Sequence, residues 1–107
     1  MARISGSITA RIRKAADVVA QFAPVEATYV FGSRAWGEPE EHSDIDVAAF
    51  VIGAETWDLR QRAKITAEVQ CAVGDDIELH LFPASLLPTP PPASLAQLIV
   101  RKGILLH

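Results

Sequence analysis

Two short stretches carry residue types that could act together: Gly32-Ser33-Arg34-Ala35-Trp36-Gly37 and Ser43-Asp44-Ile45-Asp46. A strand ending in Gly32-Ser33 lets the backbone approach a phosphate closely, because glycine has no Cβ, and Ser33 adds a hydroxyl and an N–H as donors. If Ser33 also opens a helical turn, its free N–H groups point at the anion. Asp44 and Asp46 are spaced so that on a strand they share a face, with Cα atoms about 7 Å apart. Two hard oxygen ligands so placed can hold Mg²⁺, with water and phosphate oxygens filling the remaining positions. Such a cleft suits attack at the α-phosphate of a nucleoside triphosphate with expulsion of pyrophosphate, two metals stabilising the attacking and leaving oxygens. Taken singly the pieces say little, since Gly-Ser fits any tight turn and Asp-x-Asp is most often a pair of solvated carboxylates.

A third carboxylate is needed on the nucleophile side. The run Asp76-Ile-Glu-Leu-His-Leu-Phe82 alternates strictly, so Ile77, Leu79 and Leu81 face one way and Asp76, Glu78 and His80 the other. Glu78, in mid-strand, is the favoured third acid. Asp75 and Asp76 are assigned to the turn before it; His80, on the Glu78 face, could line the cleft but is read first as a solvated or packed histidine. Arg34 beside an acidic loop serves equally as a phosphate contact or a surface salt-bridge partner. Glu38, Glu40 and Glu41 read as a solvated loop. Arg60, Arg62 and Lys64 are expected on the exposed side of a helix, Trp57 and Phe82 in the core or at its rim, and Cys71 as buried filler.

The elements that must position these groups follow from periodicity. Ile8, Ile12, Ala15, Ala16, Val19 and Phe22 recur at helical steps behind Ser5 and Ser7, and Pro24 closes that helix. Ala27 to Phe31 reads as a strand ending at Gly32, and Asp44 onwards as a second strand with an exposed entry and a buried body. Thr56 is expected to cap a helix with Leu59, Ala63, Val69 and Val73 toward the core and Gly74 as its stop. Pro83 ends the third strand, and a stiff proline run, Pro88 to Pro92, leads into a last helix over 93–102 with Arg101-Lys102 at its negative end. Ile104 to Leu106 form an apolar end that should dock on this core or on a partner. The order predicts an α/β (α+β) fold, a small mixed β-sheet of about 3–5 strands flanked by helices, within a single domain over 1–107.

Composition narrows the setting. With 107 residues, 50% apolar side chains and one cysteine, the chain can build one core without disulfides, as suits a reducing cytoplasm. A net charge of −3 argues against a broad electrostatic grip on nucleic acid, and no apolar run reaches membrane-spanning length. The acids cluster within 38–46 and 75–78, an arrangement that repels itself unless cations lie between.

Gly32-Ser33-Arg34-Ala35-x-Gly37 followed by Ser43-Asp44-Ile45-Asp46-Val47 resembles the signature of the minimal nucleotidyltransferases of the DNA polymerase beta superfamily, a group that includes the small antitoxin partners of HEPN-domain toxins. The resemblance covers nearly the whole chain, from the leading helix to the closing Lys-Gly-Ile-Leu-Leu. It implies a nucleotidyltransferase fold, phosphate contacts from Gly32 and Ser33, metal ligation by Asp44 and Asp46, and a third acid on the following strand. There the family usually has Asp and this chain has Glu78; Trp36 stands where a basic residue is common. Arg34 and Ser43 lie within the signature and join Gly32 and Ser33 as candidate nucleotide contacts. The implied activity is transfer of a nucleotidyl group, AMP foremost, from ATP or another nucleoside triphosphate to a partner protein or other acceptor, with Mg²⁺ or Mn²⁺. The implied setting is the antitoxin of a HEPN toxin–antitoxin pair. The rival reading is a binding module that neutralises the toxin by contact while its site is vestigial, and a third is a structural cation-binding domain. With no second domain evident, the acceptor site is expected from a helical partner or a second copy of the chain.

Overall fold

The computed structural model describes residues 6–32 and 44–106. Helix α1 (Gly6–Ala20) leads into strand β1 (Val25–Phe31), and β2 (Ile45–Val51) returns antiparallel to it. Helix α2 (Leu59–Val73) then crosses over to β3 (Ile77–Pro83), parallel to β2, as a helical connection between parallel strands requires. Helix α3 (Leu95–Lys102) precedes a short β4 (Ile104–Leu105) that pairs with β1, giving the sheet order β3-β2-β1-β4. The mixed sheet and its helical flanks are those expected from the pattern of elements.

Period-two alternation divides the sheet into two faces. Val30, the odd-numbered residues of β2 from Ile45 to Val51, and Ile77, Leu79 and Leu81 of β3 pack against Ile12, Ala15 and Val19 of α1 and Ile65, Val69 and Val73 of α2. The opposite face carries Tyr29, Phe31, Ala48, Phe50 and Phe82 against Ala96 and Ile99 of α3. Phe50 is fully buried, with Tyr29 meeting it edge-on and Phe82 stacked at 5.2 Å. Asp46, Glu78 and His80 belong by register to this second face.

Several local expectations change. Thr56 does not cap α2: its hydroxyl donates to the Gly53 carbonyl and closes a short 3₁₀ turn, Ala54–Thr56. Asp58 caps the helix instead, in a reciprocal box with Gln61. Ile65, Val69 and Val73, four residues apart, face the core, while Leu59 and Ala63 lie on another side of the helix, Leu59 83% exposed and Ala63 exposed as well. Cys71 is exposed. Arg62 leaves the solvent side, its guanidinium donating to the carbonyls of Leu81 in β3 and Ala54 in the 3₁₀ turn, both at 2.8 Å. Phe22, read as part of the first helix's apolar face, lies beyond its end and is 38% exposed. The apolar end docks on the chain's own core: β4 lines the edge of β1, the Leu106 N–H donates to the Thr28 carbonyl, and Ile104 and Leu106 pack against the core cluster beneath α1 and α2.

Candidate active site

Strand directions alone bring three segments to one end of the sheet. β1 finishes there at Phe31-Gly32; β2, antiparallel, begins there with Asp46 opposite Phe31; β3, parallel to β2, begins there with Glu78 beside Asp46. The beginning of β3 is held by Arg11 of α1, which pairs with the Asp76 carboxylate and donates from Nε to the Val73 carbonyl at 2.9 Å. The Asp76 hydrogen bond holds the Arg11 guanidinium above its ordinary pKa, against the opposing effect of burial. The Ile45 N–H donates to the Asp76 carbonyl at 2.8 Å and joins the two strand entries. Asp76 is thereby committed to a structural clasp, and Glu78 is the acid that β3 turns toward Asp46.

Gly32 has φ +75°, left-handed backbone that disfavours side chains, and a Cβ built there would run into the Asp46 carboxylate. Glycine at this turn therefore makes room for the acid. Ligand atoms of Asp46, Glu78 and His80 all lie within 4.8 Å of one another. His80 Nε2 stands 3.5 Å from Asp46 Oδ1 and 3.8 Å from Glu78 Oε1, and the Phe31 ring meets the imidazole edge-on at 5.0 Å. Asp46 and His80 are largely covered, while the Glu78 side chain is 57% exposed and can reach out of the cleft. Asp44 is exposed just ahead of β2 and is not in this group of three. Ser33, Arg34 and Ser43 lie outside the described residues, as does Trp36.

His80 lies on the Glu78 face, lining the cleft and packed against Phe31. The signal was present: alternation from Glu78 puts it on the acid face. Parallel pairing sets it opposite Ala48 of β2.

Two carboxylates and an imidazole, converging beside a turn with no side chain, form a donor set suited to a divalent cation with access for an anion. The family model for "Polymerase beta, Nucleotidyltransferase" matches residues 13–107. The chain belongs to the polymerase beta nucleotidyltransferase family. Solved structures agree with that membership. The domain superposes on a chain of a toxin–antitoxin crystallised with AMP-PNP, at TM-score 0.60 and 27% identity, covering 92% of this chain and 72% of that one. A putative nucleotidyltransferase from Sulfolobus solfataricus shares the fold at TM-score 0.60 and 20% identity, with coverage of 98% and 89%. A chain of a mutant form of the toxin–antitoxin MntA-HpeT does so at 0.58 and 24%, with coverage of 89% and 71%. No curated protein sequence matches this nucleotidyltransferase domain. Among its described residues no helix is long and apolar enough to cross a membrane.

Proposed function

We propose that this domain transfers a nucleotidyl group, AMP from ATP, to a partner protein, and does so in the cytoplasm as the antitoxin of a pair whose toxin carries a HEPN domain. The observation that carries the reading is the alignment of Asp46 and Glu78 on adjacent strands against Gly32, a turn whose Cβ would displace the Asp46 carboxylate. The toxin–antitoxin neighbours, one of them crystallised with AMP-PNP, support the setting and the substrate.

In this reading Asp46 and Glu78 hold the divalent ion, and Asp44, at the mouth of the strand, adds a carboxylate once nucleotide is present. A bound divalent ion supplies neutralisation of phosphate charge and polarisation of the α-phosphate. Gly32 allows the main chain to come close to the phosphates, and Ser33, Arg34 and Ser43 contribute donors to them. The acceptor hydroxyl comes from the partner or from a second copy of this chain. Incubation with labelled ATP and Mg²⁺, alone and with the neighbouring gene's product, is expected to label that product, and Asp46→Asn to lower the rate about 100-fold or more. Absence of transfer to any acceptor, with Asp46→Asn and Asp44→Ala indistinguishable from wild type, would overturn the reading.

The exposed position of Asp44 favours one alternative, neutralisation of the toxin by contact through a vestigial site. Under that alternative Asp46→Asn still suppresses toxin activity when the two proteins are mixed. Under the transfer reading it does not.

A further inference from the structure

We propose that His80 is a nitrogen ligand to the divalent ion and tilts the site toward a first-row transition ion, Mn²⁺, over Mg²⁺. The inference rests on the metal-dependent reading above and adds to it a ligand and a selectivity that two carboxylates do not supply.

Four observations converge. The Nε2 atom of His80 is buried and makes no hydrogen bond among the described residues, although the imidazole as a whole is 28% exposed. A buried imidazole nitrogen left unpaired is costly, so a partner is missing at that point. Its distances to Asp46 Oδ1 and Glu78 Oε1, 3.5 and 3.8 Å, are long for hydrogen bonds. The atoms are close enough that a small inward movement of the two carboxylates would bring all three to about 3 Å, the separation of neighbouring ligands around a six-coordinate ion with bonds of about 2.1 Å. The imidazole is also held in place, with Phe31 meeting it edge-on and Ala48 as its cross-strand neighbour. Mg²⁺ takes oxygen donors and gives up its waters reluctantly, whereas imidazole affinity rises along the first transition row. Mn²⁺ accepts an imidazole while keeping an oxygen-rich octahedral shell, which makes it the ion of the test.

The full chain, stripped of metal, is titrated with Mn²⁺ and with Mg²⁺ by calorimetry, and its Mn²⁺ form is examined by pulsed electron paramagnetic resonance with ¹⁵N-labelled histidine. Wild type is expected to show histidine nitrogen coupling to Mn²⁺. His80→Phe, which keeps an aromatic edge for Phe31, and His80→Gln are each expected to lose that coupling. Each should also lower the preference for Mn²⁺ over Mg²⁺ about tenfold or more, as loss of a metal-site side chain does elsewhere. The resonance measurement on wild type needs no variant and stands even if both substitutions unfold the protein. Binding of both ions by wild type without nitrogen coupling, with selectivity unchanged in either folded variant, overturns the role of His80 and leaves the carboxylate site intact. If neither ion binds wild type, with or without AMP-PNP, both readings are overturned.

Discussion

Asp46 is the side chain around which the site is arranged: Phe31 opposes it on one side, Glu78 on the other, and Gly32 vacates the space its carboxylate takes. Gly32→Ala would place a Cβ in left-handed backbone and against that carboxylate. It should destabilise the domain by about 2 kcal/mol, read by denaturant unfolding, and lower nucleotidyl transfer more than the stability loss accounts for. At position 78 the longer acid is expected to be an adaptation of this site. Its carboxylate reaches Asp46 and His80 from β3, and shortening it by one methylene withdraws the oxygen by more than an ångström. Glu78→Asp should therefore lose about 10- to 100-fold in rate, although Asp is usual in the family. A gain in rate would show that the glutamate is a defect.

The elements are held by polar contacts at their ends as much as by the core between them. The Asp58–Gln61 box sets where α2 begins. Asp58→Ala should cost about 1 kcal/mol in thermal or chemical unfolding, without effect on metal affinity, because α2 lies behind the sheet from the acids. Arg62 ties α2 both to the turn after β2 and to β3 through the carbonyls of Ala54 and Leu81. Arg62→Met keeps the aliphatic stem and removes the donors, for an expected loss of about 2 kcal/mol. Arg11 clasps the β3 entry, and its pKa is raised from an already high value. The sign follows: stability from a raised pKa is complete below the unfolded value and is lost only as pH rises through the folded one. The guanidinium therefore contributes no pH dependence to stability between pH 5 and 9.

For the whole molecule the decisive feature is the sheet order, which makes β2 central and puts the ends of β1, β2 and β3 that bear Gly32, Asp46 and Glu78 side by side. On the other side of β1, β4 occupies what would otherwise be an open edge. Removing residues 104–107 should cost about 2–3 kcal/mol of burial and expose that edge to other chains. The measurement is light scattering during size exclusion, where the truncated protein should run as larger species than the intact chain at equal concentration. This internal docking also takes away one reason to expect a partner at the apolar end, while Leu95 and Leu98 of α3 stay partly exposed.

Alternation in Ile77 to Phe82 and in Ile45 to Val51 was sufficient to assign faces, since a strand's side chains obey a period of two whatever surrounds them. The same local rule put Glu78 and His80 together, and the joint spacing of the Gly-Ser turn and Asp-x-Asp pointed to the family. Three matters were decided only by the assembled chain. The cap of α2 passed from Thr56 to Asp58 because Thr56 closes a 3₁₀ turn first. Arg62 turned inward because its carbonyl acceptors come from distant strands and turns. His80 joined the acids because parallel pairing set it opposite the small Ala48, a register that depends on where two strands meet and that neither strand encodes by itself.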